Sequence, residues 1–126
     1  MIPTRWRVAF TDQLADARQR LVRAEGHLRA EDGSRALQEA YPAVVGAATV
    51  QVWLQHPPWE RALPPQEMQR QVREAFPSLF AALAELDLQQ VLTSPWRASD
   101  AAPYVSEATA FVDEVERALE AWLSQA

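Results

Sequence analysis

Cysteine and lysine are both missing from this chain of 126 residues, and glycine occurs only three times. Without cysteine, the chain forms neither a disulfide nor a thiolate metal site. The glycines are scattered at Gly26, Gly33 and Gly46, which argues against a glycine-rich phosphate loop. No apolar stretch reaches the roughly 18 residues that a membrane-spanning helix requires, so no contact with a membrane is expected.

The rest of the composition is that of a globular protein. Hydrophobic residues make up 48% of the sequence and charged residues 23%, which is ordinary for a folded domain. The chain is long enough to bury one core, so residues 1–126 are expected to form a single domain. The N-terminal sequence lacks the apolar segment of a signal peptide, and the expected location is the cytoplasm.

The charge of the chain is uneven. All twelve basic residues are arginine, and the net charge is −5. Residues 98–126 hold one arginine and six acids, which gives −5, whereas residues 1–35 (+2) and 36–97 (−2) cancel. An acidic chain is a poor non-specific binder of nucleic acid. The acidic last segment is expected to be the solvated face of a helix.

Apolar periodicity predicts four helices and no strand. The first helix is expected to begin at Thr11 as its N-cap and to end at Asp32–Gly33. Its inner stripe is Leu14, Ala17, Leu21, Ala24 and Leu28. The second helix is expected to begin at Ser34 as its N-cap and to run to about Gln55. Because it is apolar on more than one face, it should lie centrally.

The second half of the chain predicts a third and a fourth helix. The third is expected over about 65–92, after a stiff proline-rich connector at 56–64. A loop is expected over 93–103, and the last helix begins at Pro103 or Tyr104. The first and last helices carry apolar stripes that suit near-parallel packing. The predicted architecture is all-α, an up-and-down four-helix bundle.

One motif occurs twice, as RALQEAYPAVV at residues 35–45 and as RQVREAFPSLF at residues 70–80. Each copy places an aromatic residue and a proline before apolar sequence, so Pro42 and Pro77 are expected to act alike. A proline inside a helix removes a backbone donor and clashes with the preceding turn, which predicts kinked central helices. The alternative at Pro42 is a break, with the proline in the first turn of a new helix.

Few residues suggest catalysis. His27 and His56 lie at predicted helix ends, where a cation suits the helix dipole. Three acids share one flank of the last helix, namely Asp113, Glu116 and Glu120. Arg117 lies among them, which favours a solvated face over a metal or acid–base site. We therefore expect no catalytic residue, no metal ligand and no cofactor.

The strongest local candidate is the loop before the last helix. Arg97 and Tyr104, with six residues between them, could meet across a groove, and helix N-termini attract anions. The alternative is a polar loop in which Trp96 and Tyr104 cap the bundle. Tryptophans in predicted loops or termini (Trp6, Trp59 and Trp96) either anchor a partner protein or cover helix ends. The candidate ligand-binding residues are Arg97, Tyr104, Trp96, Asp100, Arg35 and Arg70.

Several of these features together resemble HEPN domains, small helical bundles found in prokaryotes beside minimal nucleotidyltransferases. The stripe from Leu14 to Leu28, the alanine-rich second helix, and Pro103–Tyr104 before a helix with Phe111–Val112 are similar to that family. The ribonucleases of the family carry an Arg-x4-6-His motif. Here Arg97 is followed at that spacing by a tyrosine, which puts RNA cleavage in doubt.

The resemblance therefore implies a HEPN-like bundle that binds without catalysis. Its expected ligand is a nucleotide, or a partner protein such as a nucleotidyltransferase, and its expected state is a homodimer. One alternative is a divergent ribonuclease toxin that uses Arg97 and Tyr104. Another is an adaptor bundle that docks a protein partner through exposed tryptophans.

Overall fold

The computed structural model describes residues 2–125, and every regular element in that range is an α-helix. The helices are α1 (Thr4–Arg29), α2 (Gly33–Gln55), α3 (Pro65–Glu74), α4 (Ser78–Ala84), α5 (Leu88–Thr93) and α6 (Ala98–Ser124). The all-α prediction is confirmed. The four-helix up-and-down bundle is not, because three short helices stand where one was expected. No helix within residues 2–125 is long and apolar enough to cross a membrane.

The three long helices form the core, and α2 packs extensively against both α1 and α6. Its contact faces are rich in small side chains that are fully buried, namely Ala36, Ala40, Ala43, Ala47 and Ala48. At Gly46 a Cβ atom would lie 3.1 Å from the side-chain oxygen of Gln13 in α1, so these two helices approach closely. The predicted central position of α2 is confirmed.

Helix α1 begins at Thr4, not at Thr11. Thr11 lies inside the helix, and its hydroxyl donates a hydrogen bond to the Arg7 carbonyl at 2.8 Å. The added turns are held by aromatic packing, because Phe10 stacks on Trp53 of α2 with ring centroids 5.4 Å apart. The predicted apolar stripe is buried from Leu14 to Ala24, and Leu28 is half-buried.

The turn between α1 and α2 differs from its prediction. The Asp32 amide donates to the His27 carbonyl (2.8 Å) and the Glu31 amide to the Leu28 carbonyl (3.0 Å), which is the pattern of a Schellman C-cap. Glu31, with φ 60°, occupies the left-handed position that glycine usually takes. Asp32 is the N-cap of α2 and accepts from the Arg35 amide at 3.1 Å. Gly33 as a helix end and Ser34 as an N-cap were wrong predictions.

The two copies of the proline motif fold differently. Helix α2 continues through Pro42, which excludes the alternative of a break there. Fully buried neighbours such as Ala43 and Val44 keep this stretch between α1 and α6. At Pro77 the chain is extended, with ψ 160°, and α4 begins directly after it, so a kink within one continuous helix was a wrong prediction at this proline. The Glu107 carboxylate of α6 accepts from the Leu79 amide at 3.2 Å, which stabilises the new helix start.

Helix α6 begins at Ala98 and contains Pro103, so the predicted loop over 93–103 was too long. The Arg97 carbonyl accepts from the Asp100 and Ala101 amides at 3.0 and 3.1 Å, and Ala101 is fully buried. Because Ala101 is buried, the first turn of the helix packs against the core. The polar composition of the segment did not indicate this packing.

The acidic flank of α6 is partly an interface rather than a solvated face. Arg18 of α1 pairs with Asp113 and, at 2.8 Å, with Glu116. Hydrogen bonding to Glu116, and then to Asp113, raises the pKa of Arg18 against the opposing effect of burial. These partly exposed ion pairs join α1 to α6.

Candidate functional site

Most of the predicted ligand-binding residues lie at one corner of the molecule, where α2 and α6 begin side by side. A Cβ atom on Gly33 would lie 2.3 Å from the Arg97 carbonyl oxygen and 2.6 Å from that of Trp96, so glycine permits this close approach. Ser34 donates a hydrogen bond to the Ser94 carbonyl (3.1 Å) and accepts one from the Trp96 amide (2.8 Å). These contacts fix the segment before α6 against the start of α2.

Trp96 and Tyr104 are held inside this corner. The Trp96 indole nitrogen donates to the Val91 carbonyl at 2.9 Å. The Trp96 ring meets the Tyr104 ring edge-on, with centroids 5.4 Å apart, and Tyr104 meets Phe80 edge-on at 5.6 Å. Both side chains are half-buried. They cap the bundle, which is the alternative that the sequence left open for them.

Arg97, Asp100 and Arg35 are exposed around the same corner. Arg97 and Tyr104 do not face each other across a loop, because α6 begins directly after Arg97 and Tyr104 lies about two turns along it. Arg35 pairs with Asp32 at 3.5 Å, an exposed contact of small energetic value. Arg97 takes part in no ion pair within residues 2–125.

The electrostatics of the corner favour an anion. The positive ends of two helix dipoles, those of α2 and α6, point toward it. Asp32 already caps α2, but α6 has no side-chain cap, since the Arg97 guanidinium carries donors only. The Asp100 and Ala101 amides donate to the Arg97 carbonyl, which leaves the Ala98 and Ser99 amides as the donors for a ligand at this helix start. Asp100 lies in the same turn and supplies a competing negative charge.

Arg70 lies apart from this corner. It is on α3, which packs against α2 and α4. Its guanidinium pairs with Glu67 and, at 2.5 Å, with Glu74 of the same helix. The hydrogen bond to Glu67 is the main cause that raises the pKa of Arg70. The structure thus brings five of the six predicted residues together and separates the sixth from them.

All five tryptophans are half-buried. Trp6, Trp53, Trp59 and Trp122 join Phe10 in one cluster where α1 begins and α6 ends, with ring centroids 5.4 to 6.4 Å apart. The Trp6 indole nitrogen is buried without a hydrogen-bond partner in the described part of the chain. The tryptophans cover helix ends, so docking through exposed tryptophans gains no support from their burial.

Other charged groups serve packing between helices. Arg23 of α1 pairs with Glu39 of α2 at 3.1 Å, and Arg20 reaches the same carboxylate at 3.8 Å. Within residues 2–125, no three histidine, aspartate or glutamate side chains are grouped as a metal ion would require.

A second candidate site is a groove of about 480 Å³ between α2 and α3, which the sequence did not reveal. Its first wall is formed by Tyr41, Val45, Thr49 and Trp53 of α2. Its second wall is formed by Met68, Gln69, Val72 and Arg73 of α3, with Phe76 just beyond the end of that helix. The spacing of four along both walls was a signal present in the sequence. It indicated buried stripes, however, and the incomplete closure of the two helices depends on how the chain packs.

Comparison of the chain with models of protein families, with curated proteins and with solved structures found no match.

Proposed function

We propose that this chain is a non-catalytic helical binding module of the HEPN kind, which binds the phosphate of a nucleotide at the corner formed by α2 and α6. The observation that carries the proposal is the meeting of two helix N-termini beside two exposed arginines, Arg35 and Arg97. Amides at a helix start donate hydrogen bonds to an anion, and the dipole favours its charge. The resemblance to HEPN domains also makes a nucleotidyltransferase the proposed protein partner.

The ligand of this module is a mononucleotide rather than a long nucleic acid. The chain has a net charge of −5, which repels an extended polyphosphate backbone. A single phosphate group needs only the local field of the corner. Arginine suits this contact because its planar guanidinium binds phosphate oxygens in pairs.

Calorimetric titration with ATP, AMP and inorganic phosphate tests the proposal. Arg97→Gln is expected to weaken ATP binding about tenfold, because a charge-assisted contact is lost. Asp100→Asn should strengthen it roughly threefold, since a competing charge is removed from the first turn of α6. Arg61→Gln makes the same charge change in the 56–64 connector and should alter affinity less than about twofold. Absence of ATP binding, or equal losses in Arg97→Gln and Arg61→Gln, would overturn the proposal.

The divergent ribonuclease is tested with the same protein and a short single-stranded RNA. The Tyr104 ring packs against Trp96 and Phe80, which supports a structural role for this residue. We therefore expect intact RNA. Cleavage that Tyr104→Phe abolishes would replace the binding proposal with the ribonuclease.

We also propose that two copies of the chain pair through the outer face of α1. Val8 and Val22 are 54% and 67% exposed, and with Ala15 they form a stripe of every seventh residue. In an antiparallel pair centred on Ala15, Val8 of one copy faces Val22 of the other. Arg5 then faces Glu25, so the charges at the edges of the stripe are complementary.

Light scattering and sedimentation over a range of protein concentrations measure the state of assembly. Val22→Glu is expected to shift the dimer to monomer, because it places a charge in the apolar contact with Val8 of the other copy. Leu86→Glu, a matched change at another exposed apolar residue (59% exposed), serves as the control. A wild-type monomer at all concentrations would contradict the pairing.

A further inference from the structure

The groove between α2 and α3 has two walls that are built alike. Tyr41, Val45 and Trp53 lie along one ridge of α2. Met68 and Val72 of α3 lie opposite, with Phe76 just beyond the end of that helix. Residues four apart lie on one face of a helix, so each wall is a continuous, mostly apolar strip. The volume of about 480 Å³ falls in the range of small-molecule sites.

The groove stays open because α3 packs only lightly. This helix is strongly amphipathic in sequence, yet none of its residues is fully buried. It begins at Pro65, after Pro64, and the chain beyond it turns at Pro77. Proline restricts the backbone at both ends, so α3 is held beside α2 without being drawn deeper into the core.

Four polar side chains line this otherwise apolar groove, Tyr41 and Thr49 on the α2 side and Gln69 and Arg73 on the α3 side. The Thr49 hydroxyl already donates to the Val45 carbonyl at 2.8 Å within α2. Burial raises the pKa of Tyr41, and the positive charge of Arg73, which lines the same groove, opposes that rise. At neutral pH the tyrosine hydroxyl therefore keeps its proton and is a hydrogen-bond donor.

Arg73 is the one charged residue among those that line the groove, and it has no acidic partner within residues 2–125. The helix itself explains this. The residue four positions before Arg73 is Gln69, and the residue four positions after it is Pro77. The nearby acids Glu67 and Glu74 are both engaged by Arg70.

We propose that this groove binds a small monocarboxylate with an apolar body, such as a medium-chain fatty acid. The apolar body lies between the Val45 and Val72 ridges, where its removal from water drives binding. The carboxylate accepts hydrogen bonds from the Arg73 guanidinium and the Tyr41 hydroxyl, so the one unpaired charge of the groove is neutralised.

The chemistry of the groove selects against other ligands. Arg73 is exposed, so its charge stays hydrated beside a neutral apolar molecule, whereas a carboxylate adds a charge-assisted contact. A polyphosphate brings several charges to a site with one cation in an acidic protein. The site is separate from the nucleotide corner, because none of its lining residues belongs to α6 or to the start of α2. Each proposal can therefore fail without the other.

The test uses the whole protein with decanoate as the probe and decanol as its uncharged counterpart, both kept below the concentration at which they aggregate. Binding is followed by the indole NMR signal of Trp53, which lines the groove. Arg73→Gln is expected to weaken decanoate binding about tenfold and to leave decanol binding unchanged. Val45→Trp, which fills the groove, should abolish both.

The control variant is Arg61→Gln, which makes the same charge change in the 56–64 connector and leaves the ion pairs of α3 intact. It should change decanoate affinity less than about twofold, since Arg61 does not line the groove. The proposal is overturned if decanoate gives no saturable shift of the Trp53 signal, if it binds no tighter than decanol, or if Arg61→Gln and Arg73→Gln weaken it equally. Weaker ATP binding in Arg97→Gln with decanoate binding retained would confirm that the two sites are distinct.

Discussion

The backbone of Glu31 is strained. It adopts φ 60° at the end of α1, and a residue with a Cβ atom in this region costs about 1–2 kcal/mol relative to a right-handed conformation. The Schellman hydrogen bonds of Glu31 and Asp32 hold it there. The strain is the consequence of a turn that must reverse the chain within a few residues.

Glu31→Gly should therefore stabilise the protein. Glycine adopts the left-handed conformation without a steric cost, and the expected gain is about 1 kcal/mol in the free energy of unfolding, a rise of roughly 3–5 °C in Tm. Urea and thermal unfolding followed by circular dichroism would measure both. Glu31→Gln removes the same charge but keeps the Cβ atom, and it should show no such gain. A stabilisation equal in both variants would attribute the effect to charge instead.

At the same scale, the sequence selected Arg97 for its place in the segment before the last helix and Arg35 for its place in the repeated motif. Both are local features of the chain, and ligand binding by either residue stays a prediction. The role of Gly33 was missed. A Cβ atom there would clash with the Arg97 carbonyl, and Arg97 lies far away along the chain. The role of Arg73 as a ligand-binding residue was missed for the same reason, because it depends on the residues of α2 that lie opposite.

At the level of elements, two nearly identical stretches fold in different ways. Pro42 lies inside α2, whereas Pro77 separates α3 from α4. Proline cannot donate to the carbonyl four residues before it, and this costs a helix interior about 3 kcal/mol. In α2, burial between two long helices outweighs that cost. At Pro77 the neighbours Phe76 and Phe80 are also buried, but they belong to separate segments on either side of the proline, and Glu107 stabilises the start of a new helix.

The two prolines should therefore respond oppositely to alanine. Pro42→Ala restores a backbone donor inside α2 and is expected to raise the free energy of unfolding by about 1 kcal/mol or more. Pro77→Ala keeps the extended backbone of the folded state but increases the conformational entropy of the unfolded chain. It should therefore lower the free energy of unfolding by roughly 0.5–1 kcal/mol. Urea unfolding of both variants beside wild type would decide. Effects of the same sign and size would show that the two copies of the motif are equivalent after all.

For the whole molecule, the three long helices and the three short ones differ in how they are held. Helices α1, α2 and α6 share the main core, whereas α3 packs against α2 and α4 with no fully buried residue. Few buried apolar contacts make a segment open at low free energy. One side of the groove is therefore formed by α3, which is held less tightly than α2 on the other side.

Hydrogen exchange should show that α3 is less stable than the long helices. Amides of α3 are expected to open with a free energy at least about 2 kcal/mol below that of the α2 amides. Helix α6 is the internal reference, because it is long and shares the core with α2. Decanoate should slow exchange in α3 and leave α1 unchanged, since it bridges α3 to α2. Uniform exchange across all helices would mean that α3 opens only when the whole protein unfolds.

The helical class, the inner stripe of α1 and the central place of α2 were all readable from the sequence, because a period of 3.6 residues is a local property of the chain. The helix boundaries, the fate of each proline, the groove between α2 and α3, and the close approach that forms the corner of α2 and α6 were not. They depend on contacts such as Gly33 with Arg97, Ser34 with Trp96 and Glu107 with Leu79. These partners lie far apart along the chain, and no periodic pattern marks a residue for the neighbour that folding brings to it.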